Sequence, residues 1–129
     1  MLRLSLQRKL LPPLRILIDE SLPIALAVEL VGHDVSSVRA QRWLGYSNGS
    51  LLRTAVRAGF QVLVTADSAI RHQQNLAAIG ISVVLITRVR NRLQDLKPLV
   101  PQILSALSTI GVAELVEIGP YSSSPPGTA

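Results

Sequence analysis

The chain has 129 residues, no cysteine and a formal charge of +5, from 13 Lys and Arg against 8 Asp and Glu. This length suits one domain around one core. The missing cysteines exclude a disulfide framework and thiolate metal ligation, and apolar runs no longer than that of residues 81–86 fall well short of the ~20 residues a membrane span needs.

All but two of the cations are arginine. The planar guanidinium fork suits phosphates and carboxylates, so a nucleic acid and an acidic protein segment are the partners this charge points to. The plainer effect of a basic chain is solubility. Aromatic residues make up only 3%, so stacking platforms for bases are not evident. A cytoplasmic protein is expected.

Residues 1–13 (MLRLSLQRKLLPP) read as an N-terminal extension closed by Pro12-Pro13. They lack a continuous apolar stretch and a small-residue cleavage motif, so no secretory leader is expected. The domain spans residues 14–119. Residues 120–129 are Ser- and Pro-rich and are expected to be disordered.

Within the domain, Leu14–Ile18 is an apolar, β-branched run and predicts a strand. Ser21 fits a helix N-cap and Pro23 a first turn, with the helix running through Val31 to Gly32. Asp34–Val38 alternates as a strand does. Residues 39–48 read as a loop carrying Trp43, which is expected to pack that loop on the core, with presentation of its ring to a base as the alternative. Residues 50–58 (SLLRTAVRA) have helical spacing and end at Gly59. Phe60–Thr65 predicts a strand, and Ser68–Ile79 a helix stopping at Gly80. The apolar run Ile81–Thr87 suits a parallel strand buried on both faces. Leu93–Thr109 predicts one long helix despite Pro98 and Pro101, either of which could break or kink it, and Ala113–Ile118 a last strand. Strands alternating with helices imply a three-layer α/β/α sandwich around a mostly parallel sheet.

In such sheets, sites form outside the carboxyl ends of the strands. Asp19 and Glu20 stand at the end of the first strand, Asp67 just past the third, and Asn48 on the loop after the second. Carboxylates converging there repel one another and favour a hard cation such as Mg²⁺ or Mn²⁺. A metal so held polarises a phosphodiester and activates water. Helix capping explains Asp67 equally well, and one of Asp19 and Glu20, but not readily both. In Arg71-His72-Gln73-Gln74-Asn75, Gln74 or Asn75 is a candidate for a phosphate, a base edge or a metal-bound water; loop hydrogen bonding is the alternative. Arg88, Arg90 and Arg92 alternate past the 81–87 strand and, with Arg71, are candidate phosphate contacts.

The segments ILIDESLP, NGSLLRTA, VLVTADSAIRHQQNLA and NRLQDLKPLVPQIL together resemble the PIN-like family. The resemblance is to its short branch of candidate toxins from toxin–antitoxin pairs, and it covers residues 15–119. It implies a metal-dependent ribonuclease acting on single-stranded RNA, with an acidic antitoxin as protein partner. Asp19 matches the first acidic ligand, Glu20 the acid that follows it, and Asp67 the aspartate of the T-x-D strand end. The catalytic and metal-binding set is then Asp19, Glu20 and Asp67, with Asn48 completing the shell. Asn48 and Ala69 stand where many relatives carry acids, so the site holds three acids rather than about four. That departure motivates a second reading, a PIN-like RNA-binding or protein-interaction module with little or no catalysis. A phosphotransfer receiver also carries acids at strand ends, but no Lys follows a late strand here. The apolar excess points to a surface covered by a second subunit, as in a homodimer.

Overall fold

Side-chain alternation explains how the sheet comes to be covered on both sides. In β1 (Arg15–Ile18), Ile16 and Ile18 face one layer and Leu17 the other; β3 (Val62–Thr65) divides Val62 and Val64 from Leu63 in the same way. In β4 (Ser82–Ile86), Val84 and Ile86 oppose Val83 and Leu85. All of these are buried. The edge strands β2 (Asp34–Ser37) and β5 (Leu115–Ile118) are more exposed. All five strands are parallel, in the order β2-β1-β3-β4-β5.

The computed structural model describes residues 9–73 and 75–120; most of the predicted N-terminal extension, the role foreseen for Gln74 and the tail from Tyr121 lie outside the described residues. One helical layer consists of α1 (Leu26–Glu29), α5 (Leu93–Leu96) and α6 (Val100–Thr109), which bury Leu26, Leu96, Ile103 and Leu107 on the sheet. The other consists of α2 (Val38–Gln41), α3 (Asn48–Arg57) and α4 (Leu76–Ile79). It packs Val38, Leu51, Leu52 and Ala55 against the opposite face, with Trp43 packed beside them as expected. The fold is the three-layer α/β/α sandwich.

Several elements differ in detail from the sequence reading. The helix expected over residues 68–79 is a 3₁₀ turn, Ser68–His72, an extended link at Gln73, and then α4. Ser, His and Asn are weak interior helix formers, and only Ile70 of that turn is buried, so little packing holds a continuous helix together. The span 93–109 is divided by the 3₁₀ turn Lys97–Leu99, whose Pro98 lacks the N–H that an unbroken helix requires. Pro101 sits in the first turn of α6, where a missing N–H costs nothing. Residues 39–48 are not wholly loop, because the Ser37 hydroxyl accepts the Ala40 N–H at 3.0 Å and starts α2. α1 begins at Leu26 without a side-chain cap, so the N-cap foreseen for Ser21 does not form.

Two details fix the amino ends of the first strands. The Leu14 N–H donates to His33 Nδ1 at 3.0 Å, and burial pushes the imidazole pKa down, keeping that acceptor neutral. Arg15 donates from Nη1 to the Ala58 carbonyl at 2.7 Å and lies 4.5 Å from the centre of the Phe60 ring. The apolar excess surfaces on one side of α1 and the turn beyond it, where Ile24, Val28 and Val31 are exposed. Among the described residues, no helix is long and apolar enough to cross a membrane.

Candidate functional site at the carboxyl edge

A sheet of order 2-1-3-4-5 reverses its direction of growth between β1 and β3, and the crevice outside that reversal is where doubly wound sheets take ligands. The pairing of β1 with β3 puts Ile18 opposite Val64, and the next residue, Asp19, donates its N–H to the Val64 carbonyl at 2.9 Å. Asp19 therefore leaves the sheet beside Thr65. The Thr65 hydroxyl donates to Asp19 Oδ2 at 2.8 Å and accepts the Asp67 N–H at 3.0 Å. Thus one hydroxyl links the Asp19 carboxylate to the backbone N–H of Asp67.

Ser21 completes the arrangement. Its hydroxyl donates to Asp19 Oδ2 at 2.7 Å and accepts the Ala66 N–H at 3.1 Å. Two hydroxyls thus hold one oxygen of a carboxylate that is only 9% exposed. The other oxygen, Oδ1, accepts no hydrogen bond from the described residues and is not sealed from solvent.

Asp67 is exposed, and its Oδ1 accepts the Ala69 N–H at 3.0 Å. The capping reading of Asp67 is therefore correct for one oxygen, while the second makes no hydrogen bond with the described residues. Glu20 is also exposed, and Oε1 accepts the Gly45 N–H at 3.1 Å. That bond ties the 42–47 loop to the edge. Asn48, the first residue of α3, follows that loop; Ser47 caps the helix, and the Asn48 amide makes no hydrogen bond with the described residues. Among the described residues, no three His, Cys, Asp or Glu side chains stand close enough to hold one ion together. The structure thus brings Asp19 and the Asp67 backbone to one hydroxyl, while Glu20 and Asp67 each spend one carboxylate oxygen on a backbone N–H.

The arginines divide into committed and uncommitted groups. Arg71 makes a two-pronged ion pair with Glu117 on β5, at 2.7 and 3.0 Å. That hydrogen bonding holds the Glu117 carboxyl below the usual range and commits two of the three Arg71 guanidinium nitrogens. Arg92 donates to Asp95 at 2.6 Å and lowers that carboxyl in the same way. Arg88 and Arg90 are exposed and form no ion pair among the described residues. Asn75 is exposed at the start of α4 and caps nothing.

No family model matches the chain, and neither does any curated protein or solved structure. The 2-1-3-4-5 order is one that phosphotransfer receivers share, yet β4 leads into Thr87-Arg88 and β5 into Gly119-Pro120, with no Lys at either place. Sequence reasoning placed the carboxylates but missed Thr65 and Ser21 as the groups that orient Asp19. The T-A-D tripeptide carried a signal for Thr65. For Ser21, Pro23 two residues on favoured the capping role that the structure does not use.

Proposed function

We propose that the chain is a divalent-metal-dependent endoribonuclease of PIN-like type, acting as a toxin that an acidic antitoxin holds in check. The observation that carries this reading is that Asp19 and Asp67 follow the neighbouring strands β1 and β3 at their reversal, where the Thr65 hydroxyl bonds both the Asp19 carboxylate and the Asp67 backbone N–H. Hard oxygen donors suit Mg²⁺ or Mn²⁺, and Mg²⁺ is commonly held by one or two carboxylates, with waters and substrate phosphates filling the other positions. The unpartnered Oδ1 of Asp19 and the second oxygen of Asp67 fit that demand. Asp19 and Asp67 would hold the ion, with Glu20 and Asn48 within the same edge as outer partners. When bound, the metal supplies polarisation of the phosphodiester and a more acidic water.

The protein's own groups supply orientation and charge. Thr65 and Ser21 fix the Asp19 carboxylate, so its free oxygen presents one direction to the substrate. Arg88 and Arg90, exposed beyond β4 and without an ion pair among the described residues, would attract the RNA backbone. A second reading, a PIN-like RNA-binding or interaction module without catalysis, is favoured by the Glu20–Gly45 bond and by the amide and methyl at positions 48 and 69.

Incubating the purified chain with a labelled single-stranded RNA decides between them. The nuclease reading expects cleavage with Mn²⁺ or Mg²⁺ that stops on adding EDTA and returns with excess metal. RNA that stays intact at every metal concentration, while still bound, is the result of the second reading.

A further inference from the structure

The two helical layers differ in how their charge is used. On the α1/α5/α6 layer, Lys97 pairs with Glu29 and Arg92 with Asp95. On the other, residues 38–58 carry Arg39, Arg42, Arg53 and Arg57 with no Asp or Glu among them. None of these four enters an ion pair with the described residues.

Two of them line a groove. Arg53, Val56 and Arg57 of α3 face Asn75, Ala78 and Ile79 across a space of about 450 Å³. Arg53 and Arg57 are one turn apart on α3, so they project along the same side. The Arg53 guanidinium folds back over the first turn of the helix, where a Cβ on Gly49 would stand 3.3 Å from Nη1. Gln73 reaches the same place, with Oε1 3.9 Å from that position. The segment from Asp67 to Gln73 therefore runs from the carboxyl edge to the head of the groove.

We infer that this groove is a second anchoring site for single-stranded RNA, in which Arg53 and Arg57 hold the phosphodiester backbone and the Asn75 amide donates beside them. The inference rests on the RNA reading above and names where the strand is gripped away from the carboxylates. Guanidinium groups without carboxylate partners are available to phosphates without first breaking an ion pair. The exposed amide of Asn75, which caps no helix, adds donors suited to a phosphate oxygen. The scarcity of aromatic side chains agrees with a grip on the backbone rather than on stacked bases.

The test is binding of a fluorescent oligouridylate in EDTA, followed by anisotropy over a range of salt concentrations. Each phosphate contact on a single strand contributes about 0.7 to the slope of log K against log salt, or about fivefold in affinity at 0.1 M salt. Arg53→Gln and Arg57→Gln should each lose that much, and the double variant about 25-fold. Lys97→Gln, on the paired layer, should change neither slope nor affinity. Thermal melts matching the wild type establish that the exposed substitutions have left the fold intact. Unchanged affinity and slope in the double variant overturn the inference, as does a wild-type chain that binds no RNA. Arginine-dependent binding of polyglutamate that excludes RNA also overturns it, and assigns the groove to an acidic protein segment. Cleavage distinguishes this inference from the reading on which it rests. A double variant that binds normally while the wild type cleaves leaves the nuclease and removes the groove. A wild type that never cleaves, but binds through Arg53 and Arg57, does the reverse.

Discussion

Asp19→Asn is expected to lower divalent-dependent RNA cleavage by at least ~10²-fold, the scale of losing a preorganised electrostatic group at a reacting centre. The substitution removes the negative charge and keeps an oxygen that can accept from Thr65 and Ser21. Both hydroxyls donate to the same carboxylate oxygen, at 2.8 and 2.7 Å. Stability should therefore change by less than about 1 kcal/mol. Asp19→Ala makes the contrast. It leaves the buried Thr65 hydroxyl and that of Ser21 without their acceptor, at a cost of ~1–3 kcal/mol. Cleavage rates and melting temperatures of the two variants separate chemistry from folding. An Asn variant that cleaves at the wild-type rate removes Asp19 from the reaction.

Gly59→Ala is expected to destabilise the fold by about 2–3 kcal/mol, through two terms that share one place. Gly59 has φ +94°, a conformation that costs an L side chain roughly 1–2 kcal/mol. An added Cβ would also stand 2.7 Å from Arg15 Nη1. A free arginine would move aside, but this one is held. Nη1 donates to the Ala58 carbonyl at 2.7 Å, Nε lies 3.3 Å from Asp34, and the guanidinium stacks on Phe60. Moving it disturbs the junction of β1 with the turn that leads into β3. Urea unfolding of the variant measures the loss. A companion Arg15→Ala/Gly59→Ala pair, compared with Arg15→Ala alone, isolates the backbone term. Equal stability of Gly59→Ala and wild type refutes the account of this turn.

The parts of the fold legible in the sequence were those in which local pattern and tertiary burial agree. β4 is an apolar run because both of its faces are covered, and Gly59 and Gly80 end helical segments as left-handed positions do. The 68–79 segment was misread because its polar side chains do not need a regular helix; one buried residue, Ile70, holds the 3₁₀ turn. The carboxylates were placed correctly at strand ends, since that rule needs only the ends of strands. Their linkage was not legible, because Thr65 touches Asp19 only if β3 lies next to β1, and strand order is not written in local pattern. For the same reason the ion pair of Arg71, a residue read only as a candidate phosphate contact, was not legible. Its partner Glu117 lies on β5, across β4 from the strand that precedes Arg71. The use of Glu20 Oε1 by the Gly45 N–H was not legible either, because it depends on where the loop after β2 folds.

The central claim is that one divalent ion sits between Asp19 and Asp67. Replacing Mg²⁺ with Fe²⁺ and adding ascorbate and peroxide generates hydroxyl radicals at the bound ion, which cut the nearest polypeptide. Mapping of the fragments should show cuts around residues 19–21 and 65–68, suppressed by excess Mg²⁺ and absent in Asp19→Asn. Cuts confined to other segments, or a pattern unchanged in Asp19→Asn, contradict it.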